Sequence, residues 1–121
     1  LSDRTNPRQS ILGGARYLIW KAEKIPQRIQ GEDRLWFTLA AYNVGFGHLE
    51  DARILTQRQS GNPDLWQEVK QRLPLLSDKK YYKTLKHGKA RGQEPVTYVK
   101  NIRYFYKLLN WYYNQRSEVD W

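Results

Sequence analysis

The sequence predicts an all-α domain. Asn-Pro pairs occur at Asn6-Pro7 and Asn62-Pro63, where Asn suits the N-cap and Pro the first helical position. No stretch of useful length alternates apolar and polar residues as a half-buried strand does. Apolar side chains instead return every three or four residues, which places them on one face of a helix. The first such set is Ile11, Ala15, Leu18, Ala22 and Ile25.

The first half of the chain is expected to form two helices and a sharp corner. The first helix is predicted from Asn6-Pro7 to about Lys24, and Gly31 separates it from the second. Glu32 and Asp33 put negative charge at the start of that second helix, where the helix dipole favours it. Its predicted buried face consists of Leu35, Trp36, Leu39 and Ala40.

Two further helices are predicted between this corner and Pro74. The third is expected to close near Gly61, with an apolar face of Leu49, Ala52 and Leu55, to which Ile54 is a further candidate. The fourth is predicted to start at Asn62-Pro63 and to stop before Pro74. It carries Leu65, Trp66, Val69 and Leu73.

The last third of the sequence predicts a short helix, a loop and the longest helix. The short helix spans 77–85, and a basic, glycine-containing loop follows at 86–92. The longest helix is expected from Pro95 to about Asn114. Its positions at helical spacing are Val99, Ile102, Phe105 or Tyr106, Leu109 and Tyr113.

Composition limits the class of protein. The chain has 121 residues, enough for one real core, with 40% hydrophobic residues and no cysteine. The absence of cysteine excludes disulfides and Cys-based metal sites. No apolar run approaches the roughly 18 residues that a membrane span needs.

The positive charge is concentrated in one stretch. Between Lys79 and Lys107 there are nine Lys or Arg and one acid, Glu94, so this stretch accounts for +8 of the net +9. Such a basic face suits a polyanion, either nucleic acid, anionic lipid or an acidic wall polymer. A face that only keeps the protein soluble is the alternative.

Little catalytic machinery is evident in the residues themselves. No metal site or cofactor is predicted, because His48 and His87 are far apart in sequence and neither has another ligand nearby at binding spacing. Most carboxylates fall at predicted helix starts or on polar faces, where they stay ionised and make poor general acids. These are Glu32, Asp33, Glu50, Asp51, Asp64, Glu68 and Asp78. Glu94 immediately precedes Pro95 and is interpreted as an N-cap or a ligand contact.

The stretch Leu39-Ala40-Ala41-Tyr42-Asn43-Val44-Gly45-Phe46-Gly47 is the most distinctive. The two alanines permit close approach of another backbone or a ligand, and the glycines allow the chain to reverse. Tyr42 and Asn43 would then project from a helix end. An ordinary C-cap, with the tyrosine packed in the core, is the alternative interpretation.

Three segments together resemble the lytic transglycosylases with the lysozyme-like fold, glycoside hydrolase family twenty-three. Ala41-Tyr42-Asn43-Val44-Gly45 matches the Ala-Tyr-Asn-x-Gly motif of the family, and Glu94 to Ile102 matches its Glu-x-x-x-Tyr-Val-x-x-Ile helix start. Asn6-Pro7 through Gly13-Gly14-Ala15-Arg16-Tyr17-Leu18 resembles its Pro, Gly-Ala-x-Tyr-Leu segment. The three motifs occur in the family's order and cover nearly all of the chain.

The resemblance implies cleavage of the β-1,4 bond between N-acetylmuramic acid and N-acetylglucosamine in peptidoglycan. A single glutamic acid protonates the bridging oxygen, and the muramyl C6 hydroxyl then closes a 1,6-anhydro ring. By the same resemblance, Asn43, Tyr42 and Gly45 would contact the substrate, as would Glu94. Tyr98 would orient the catalytic carboxyl or the sugar.

The family's catalytic glutamate, followed by serine, is expected upstream of Asn6-Pro7, and residues 1–121 contain no match to it. The chain therefore resembles the C-terminal portion of a catalytic domain and is predicted to be inactive alone. Its expected partners are peptidoglycan strands and a missing N-terminal part, in the periplasm, with any outer-membrane attachment outside this chain. The alternatives left open are a basic helical module for nucleic acid and a wall-binding domain without catalysis.

Overall fold

The computed structural model describes residue 16 and residues 19–120, and of 116–120 only the helical backbone. Throughout this described part the chain forms helices, turns and irregular segments without a strand, which confirms the all-α prediction. The elements are α1 (Gly31–Val44), α2 (Phe46–Arg58), α3 (Trp66–Val69), a 3₁₀ helix (Leu73–Ser77), α4 (Lys79–Tyr82) and α5 (Gln93–Asp120). The predicted first helix from Asn6-Pro7 lies mostly outside the described residues. Helical backbone at 19–23 and a turn at Lys24 match its expected end.

Helix α1 follows the predicted start but not the whole predicted face. Glu32 and Asp33 occupy its first turn, and residues 36–41 are all buried. The placement of Leu35 in the core is wrong, since its side chain is 49% exposed. The buried side of α1 is set by α2 and α5, which pack against Trp36 and its neighbours, whereas Leu35 borders an open surface cavity with Ile19.

Helix α2 confirms three of its four candidate core positions. Leu49, Ala52 and Leu55 are buried, whereas Ile54 is 41% exposed. The helix ends at Arg58, and the Gly61 N–H donates to the Thr56 carbonyl at 2.8 Å.

The predicted fourth helix is wrong in extent, because only one turn of it forms. Asn62 Oδ1 accepts a hydrogen bond from the Asp64 N–H at 2.9 Å, which makes a local turn in place of a long helix. Leu65 is extended and 41% exposed, and α3 spans only Trp66–Val69. Turns and the 3₁₀ helix follow, with Pro74 at the start of the latter. This broken path buries the apolar set Trp66, Val69, Leu73 and Leu76.

The predicted 77–85 helix is similarly reduced to α4. Its N-cap is Asp78, whose Oδ1 accepts a hydrogen bond from the Lys80 N–H at 3.0 Å. The basic segment 86–92 is irregular, as predicted, apart from the turn that leads into α5.

Helix α5 is longer than predicted at both ends. It starts at Gln93 and its backbone remains helical to Asp120, past the expected end at Asn114. Val99 is fully buried and Ile102 is partly buried against the core. The later positions of the predicted stripe are exposed, namely Phe105, Tyr106, Leu109 and Tyr113.

The core lies where α1 packs against α5 and α2, and the 3₁₀ helix covers one side of it. Among its buried members are Ile25, Ile29, Phe37, Ala40, Ala41, Leu49, Ala52, Val69, Leu76 and Val99. A cluster of salt bridges holds the segment before α3 to α2. Arg53 pairs with Glu50 and Asp64, and Arg28 also pairs with Asp64. None of the helices in the described region has the length and apolarity to cross a membrane.

Candidate active site

A corner of one residue joins α1 to α2. Gly45 follows the end of α1 and precedes the start of α2, with a φ of 99° that side chains other than glycine rarely adopt. Its N–H donates to the Ala41 carbonyl at 2.9 Å, and its own carbonyl accepts from the Leu49 N–H at 3.2 Å. Ala40 and Ala41 are completely buried. The corner therefore turns the chain while it satisfies one backbone carbonyl at the end of α1 and one N–H near the start of α2.

Two aromatic residues meet beside this corner. Tyr42, on the last turn of α1, is 44% exposed, and its ring stacks on that of Tyr98 from α5. The ring centroids are 6.4 Å apart and the planes differ by 19°. Offset stacking at this distance is favourable for aromatic rings. The structure thus joins two motifs that are distant in sequence into a single surface.

The surroundings of Tyr98 favour its neutral phenol over the phenolate. Tyr98 packs against the core, and this burial, with a smaller effect of the nearby Tyr42, raises the pKa of its phenol above the ordinary value of 10.0. Like any neutral phenol, the group is a hydrogen-bond donor as well as an acceptor. The resemblance predicts that this hydroxyl orients the catalytic carboxyl or the sugar.

Glu94 and Asn43 flank the tyrosine pair. Glu94 is four residues before Tyr98 on α5, so the two share one helix face. Because α5 begins at Gln93, the interpretation of Glu94 as an N-cap is wrong, and the residue lies within the first turn. Its side chain is 60% exposed and lies 3.6 Å from Arg91. Asn43 is exposed next to Tyr42 at the end of α1.

Asp51 contradicts the expectation that it lies at a helix start or on a polar face. It is only 1% exposed, and its Oδ2 accepts a hydrogen bond from the His87 N–H at 2.9 Å. This bond ties the basic segment 86–92 to α2. A carboxylate so buried cannot contact a polymer, so we assign it a role in positioning this segment. A signal was present in the sequence, since Asp51 lies three residues after His48 and four before Leu55, on the buried face of α2.

Two histidines and a glycine complete this contact. The rings of His48 and His87 meet edge to face, with centroids 6.2 Å apart. A Cβ added at Gly47 would lie 2.7 Å from the His87 ring. The second glycine of the corner motif therefore provides space for the 86–92 segment. Among the described residues no group of three His, Cys, Asp or Glu side chains could hold a metal ion.

Comparisons with known proteins show the family to which the chain is similar. Residues 1–65 match the family described as the Transglycosylase SLT domain. The chain is 59% identical over 111 residues to a protein named membrane-bound lytic murein transglycosylase F from Idiomarina loihiensis, covering 92% of this chain and 24% of that relative. A protein of the same name from Alcanivorax borkumensis is 57% identical, and the match covers 99% of this chain and 26% of that relative. Another from Haemophilus influenzae is 51% identical, and the match covers 98% of this chain and 25% of that relative. The chain thus spans about a quarter of the length of these relatives.

Proposed function

Because the chain belongs to the transglycosylase SLT domain family, we propose that it is the C-terminal portion of the catalytic domain of a peptidoglycan lytic transglycosylase. The family match also supports the predicted lysozyme-like helical fold. The observation that carries the proposal is the stack of Tyr42 on Tyr98, which brings the Ala-Tyr-Asn-x-Gly corner and the start of α5 to one exposed surface.

In this proposal the chain supplies one wall of a glycan groove. Aromatic faces pack against the apolar faces of sugar rings, and Tyr42 is exposed enough to do so. The side-chain amide of Asn43 offers both a donor and an acceptor for sugar hydroxyl or acetamido groups. Glu94 would contact the substrate from the α5 side, one helical turn from Tyr98.

The proposed reaction uses a single carboxylic acid, supplied by a glutamic acid upstream of this chain. That acid protonates the bridging oxygen and, as a carboxylate, takes the proton of the muramyl C6 hydroxyl as the 1,6-anhydro ring closes. Tyr98 would donate its hydroxyl proton in a hydrogen bond to this carboxyl or to the sugar. A phenol is neutral throughout the neutral pH range, so Tyr98 can act as a donor there, and burial, which raises its pKa, favours the neutral form further.

The test is Tyr98→Phe in the complete enzyme, measured by digestion of purified sacculi and mass spectrometry of 1,6-anhydro-muropeptides. Loss of one oriented hydroxyl from an acid–base site lowers turnover on the order of ten- to several-hundred-fold. The loss of unfolding free energy should be about 1 kcal/mol or less. Tyr104→Phe is the matched control, because Tyr104 lies on the same helix and is 66% exposed, and it should leave activity unchanged.

Two results would contradict the proposal. The first is a loss of activity in Tyr98→Phe that merely follows a loss of folded protein. The second is an equal loss of activity in the Tyr104→Phe control. Competition between isolated glycan strands and an oligonucleotide separates this function from a nucleic-acid-binding module, and we expect the glycan to be retained.

We further propose that the complete protein acts in the periplasm and associates with the outer membrane through a segment outside residues 1–121. The names of the relatives describe those proteins as membrane-bound. Cell fractionation of the full-length protein tests this proposal, and recovery only in the cytoplasm would refute it.

A further inference from the structure

A basic cavity lies between α3 and α5, apart from the tyrosine pair. Its volume is about 380 Å³, and its lining residues are Trp66, Lys70, Val96, Lys100, Asn101, Arg103, Tyr104 and Lys107. Four of these eight side chains are cationic and none is acidic. We propose that this cavity binds a compact polyanion, a ligand with two or more carboxylate or phosphate groups.

The cations are available for a ligand. In the part of the chain that the structure describes, Lys70, Lys100, Arg103 and Lys107 form no ion pair. Arg103 is held in place because its guanidinium stacks on the Trp36 ring at 4.8 Å from the centroid. Four positively charged side chains line the cavity and no acidic side chain does, and this arrangement favours a bound anion.

Two acids line other cavities that share Arg103 with the basic cavity. Glu32 and Asp33 line a neighbouring cavity of about 230 Å³ that also includes Arg103, and Glu32 shares a third cavity with Arg103 and Lys107. Asp33 Oδ1 is engaged, since it accepts a hydrogen bond from the Trp66 N–H at 3.3 Å. Neither acid lines the basic cavity itself.

The walls of the cavity suit an anion that is partly removed from water. Trp66 is only 2% exposed and Val96 packs against the core, so one side of the cavity is apolar. Charge interactions near such a wall are less screened than on an open surface. The Asn101 amide adds a neutral donor that can orient an anionic oxygen.

The site is distinct from the proposed glycan groove. Lys107 follows Tyr98 by nine residues, which is about 180° around an α-helix, and Lys100 and Arg103 lie about 160° and 140° from Tyr98. The three cations that α5 contributes to the cavity therefore lie on the opposite side of the helix from Tyr98. The proposal is independent of the function assigned to the tyrosine pair.

The experiment is calorimetric titration of the full-length protein with inorganic pyrophosphate, with citrate and with neutral chitotriose at one fixed ionic strength. Pyrophosphate represents ligands with phosphate groups and citrate represents ligands with carboxylate groups. The compound that binds more tightly identifies the chemical class of the ligand. We expect at least one polyanion to bind and chitotriose not to compete with it. Binding should also shift the indole resonance of Trp66, assigned from a Trp66→Phe spectrum.

Variants locate the site. Lys100→Gln combined with Lys107→Gln should weaken polyanion binding about ten-fold or more, because two charge-assisted contacts are removed. The matched control is Lys79→Gln combined with Lys86→Gln, which removes the same charge from two exposed lysines outside the cavity. The affinity of this control for the polyanion should change less than about two-fold, because salt screens exposed charges. Equal weakening by both double variants would overturn the proposal, as would an unmoved Trp66 signal or no measurable binding of either polyanion.

Discussion

The two halves of α5 differ sharply although both are rich in apolar residues. In the first half, over 93–103, Pro95 and Val99 are fully buried and Tyr98 stacks on Tyr42. In the second half, over 104–115, every residue is exposed, and five of them are aromatic residues more than 60% exposed. These five are Tyr104, Phe105, Tyr106, Trp111 and Tyr113.

The difference shows what helical spacing does and does not predict. Both halves satisfy the apolar period, and both are helical. Among the side chains that the structure describes, every buried or half-buried residue of α5 lies in the first half, so this half gains more free energy from burial. The period predicts the helix, whereas the opposing surface decides the burial.

The largest effect on stability is expected from Gly92→Ala, at the residue that precedes α5. A Cβ there would lie 1.6 Å from the Leu73 carbonyl oxygen, so two backbone segments would have to separate. We expect a loss of more than about 3 kcal/mol of unfolding free energy, or an unfolded protein, by thermal or urea denaturation.

Gly88→Ala is the control for this change. Gly88 has a φ of 75° but no atom within 4 Å of an added Cβ, so only backbone strain opposes the substitution. Its cost should be about 1–2 kcal/mol. If the two variants lose the same stability, the close approach of Gly92 to Leu73 does not limit the docking of α5.

The difference between the two halves is tested directly by comparing Val99→Ala with Phe105→Ala. Val99 is completely buried, and its truncation should cost about 2 kcal/mol through lost burial and a residual cavity. Phe105 is 62% exposed, and its truncation should change the free energy of unfolding by no more than about 0.5 kcal/mol. Urea denaturation of both variants measures this directly. A larger loss for Phe105→Ala would show that the second half is covered in solution.

The smallest effect concerns alkaline pH. The folded state raises the pKa of Tyr98 by burial first and by Tyr42 second, so it disfavours the ionised phenolate. The stability that the neutral phenol contributes is complete below the unfolded pKa of about 10 and is lost as the pH rises through the higher folded value. Tyr98→Phe should therefore lose less stability than the unsubstituted protein between neutral pH and pH 11. Tyr104→Phe, in the exposed half, should follow the unsubstituted protein, and a matching improvement there would refute the assignment.

The local features were predictable because they depend on neighbours in sequence. The acidic first turn of α1, the corner at Gly45 and the irregular basic segment all follow from the chemistry of a few adjacent residues. The motifs around Tyr42 and Tyr98 also predicted the family to which the chain belongs. Helix dipoles, glycine conformations and motif spacing need no knowledge of the distant chain.

The tertiary structure alone decided which of these side chains meet and which are removed from water. It buried Asp51 beneath the 86–92 segment, left Leu35 exposed and replaced a predicted long helix with the single turn α3. It also stacked Tyr42 on Tyr98 across 56 positions of sequence. Each outcome depends on the opposing surface, because desolvation and packing act between elements that the order of residues does not place side by side.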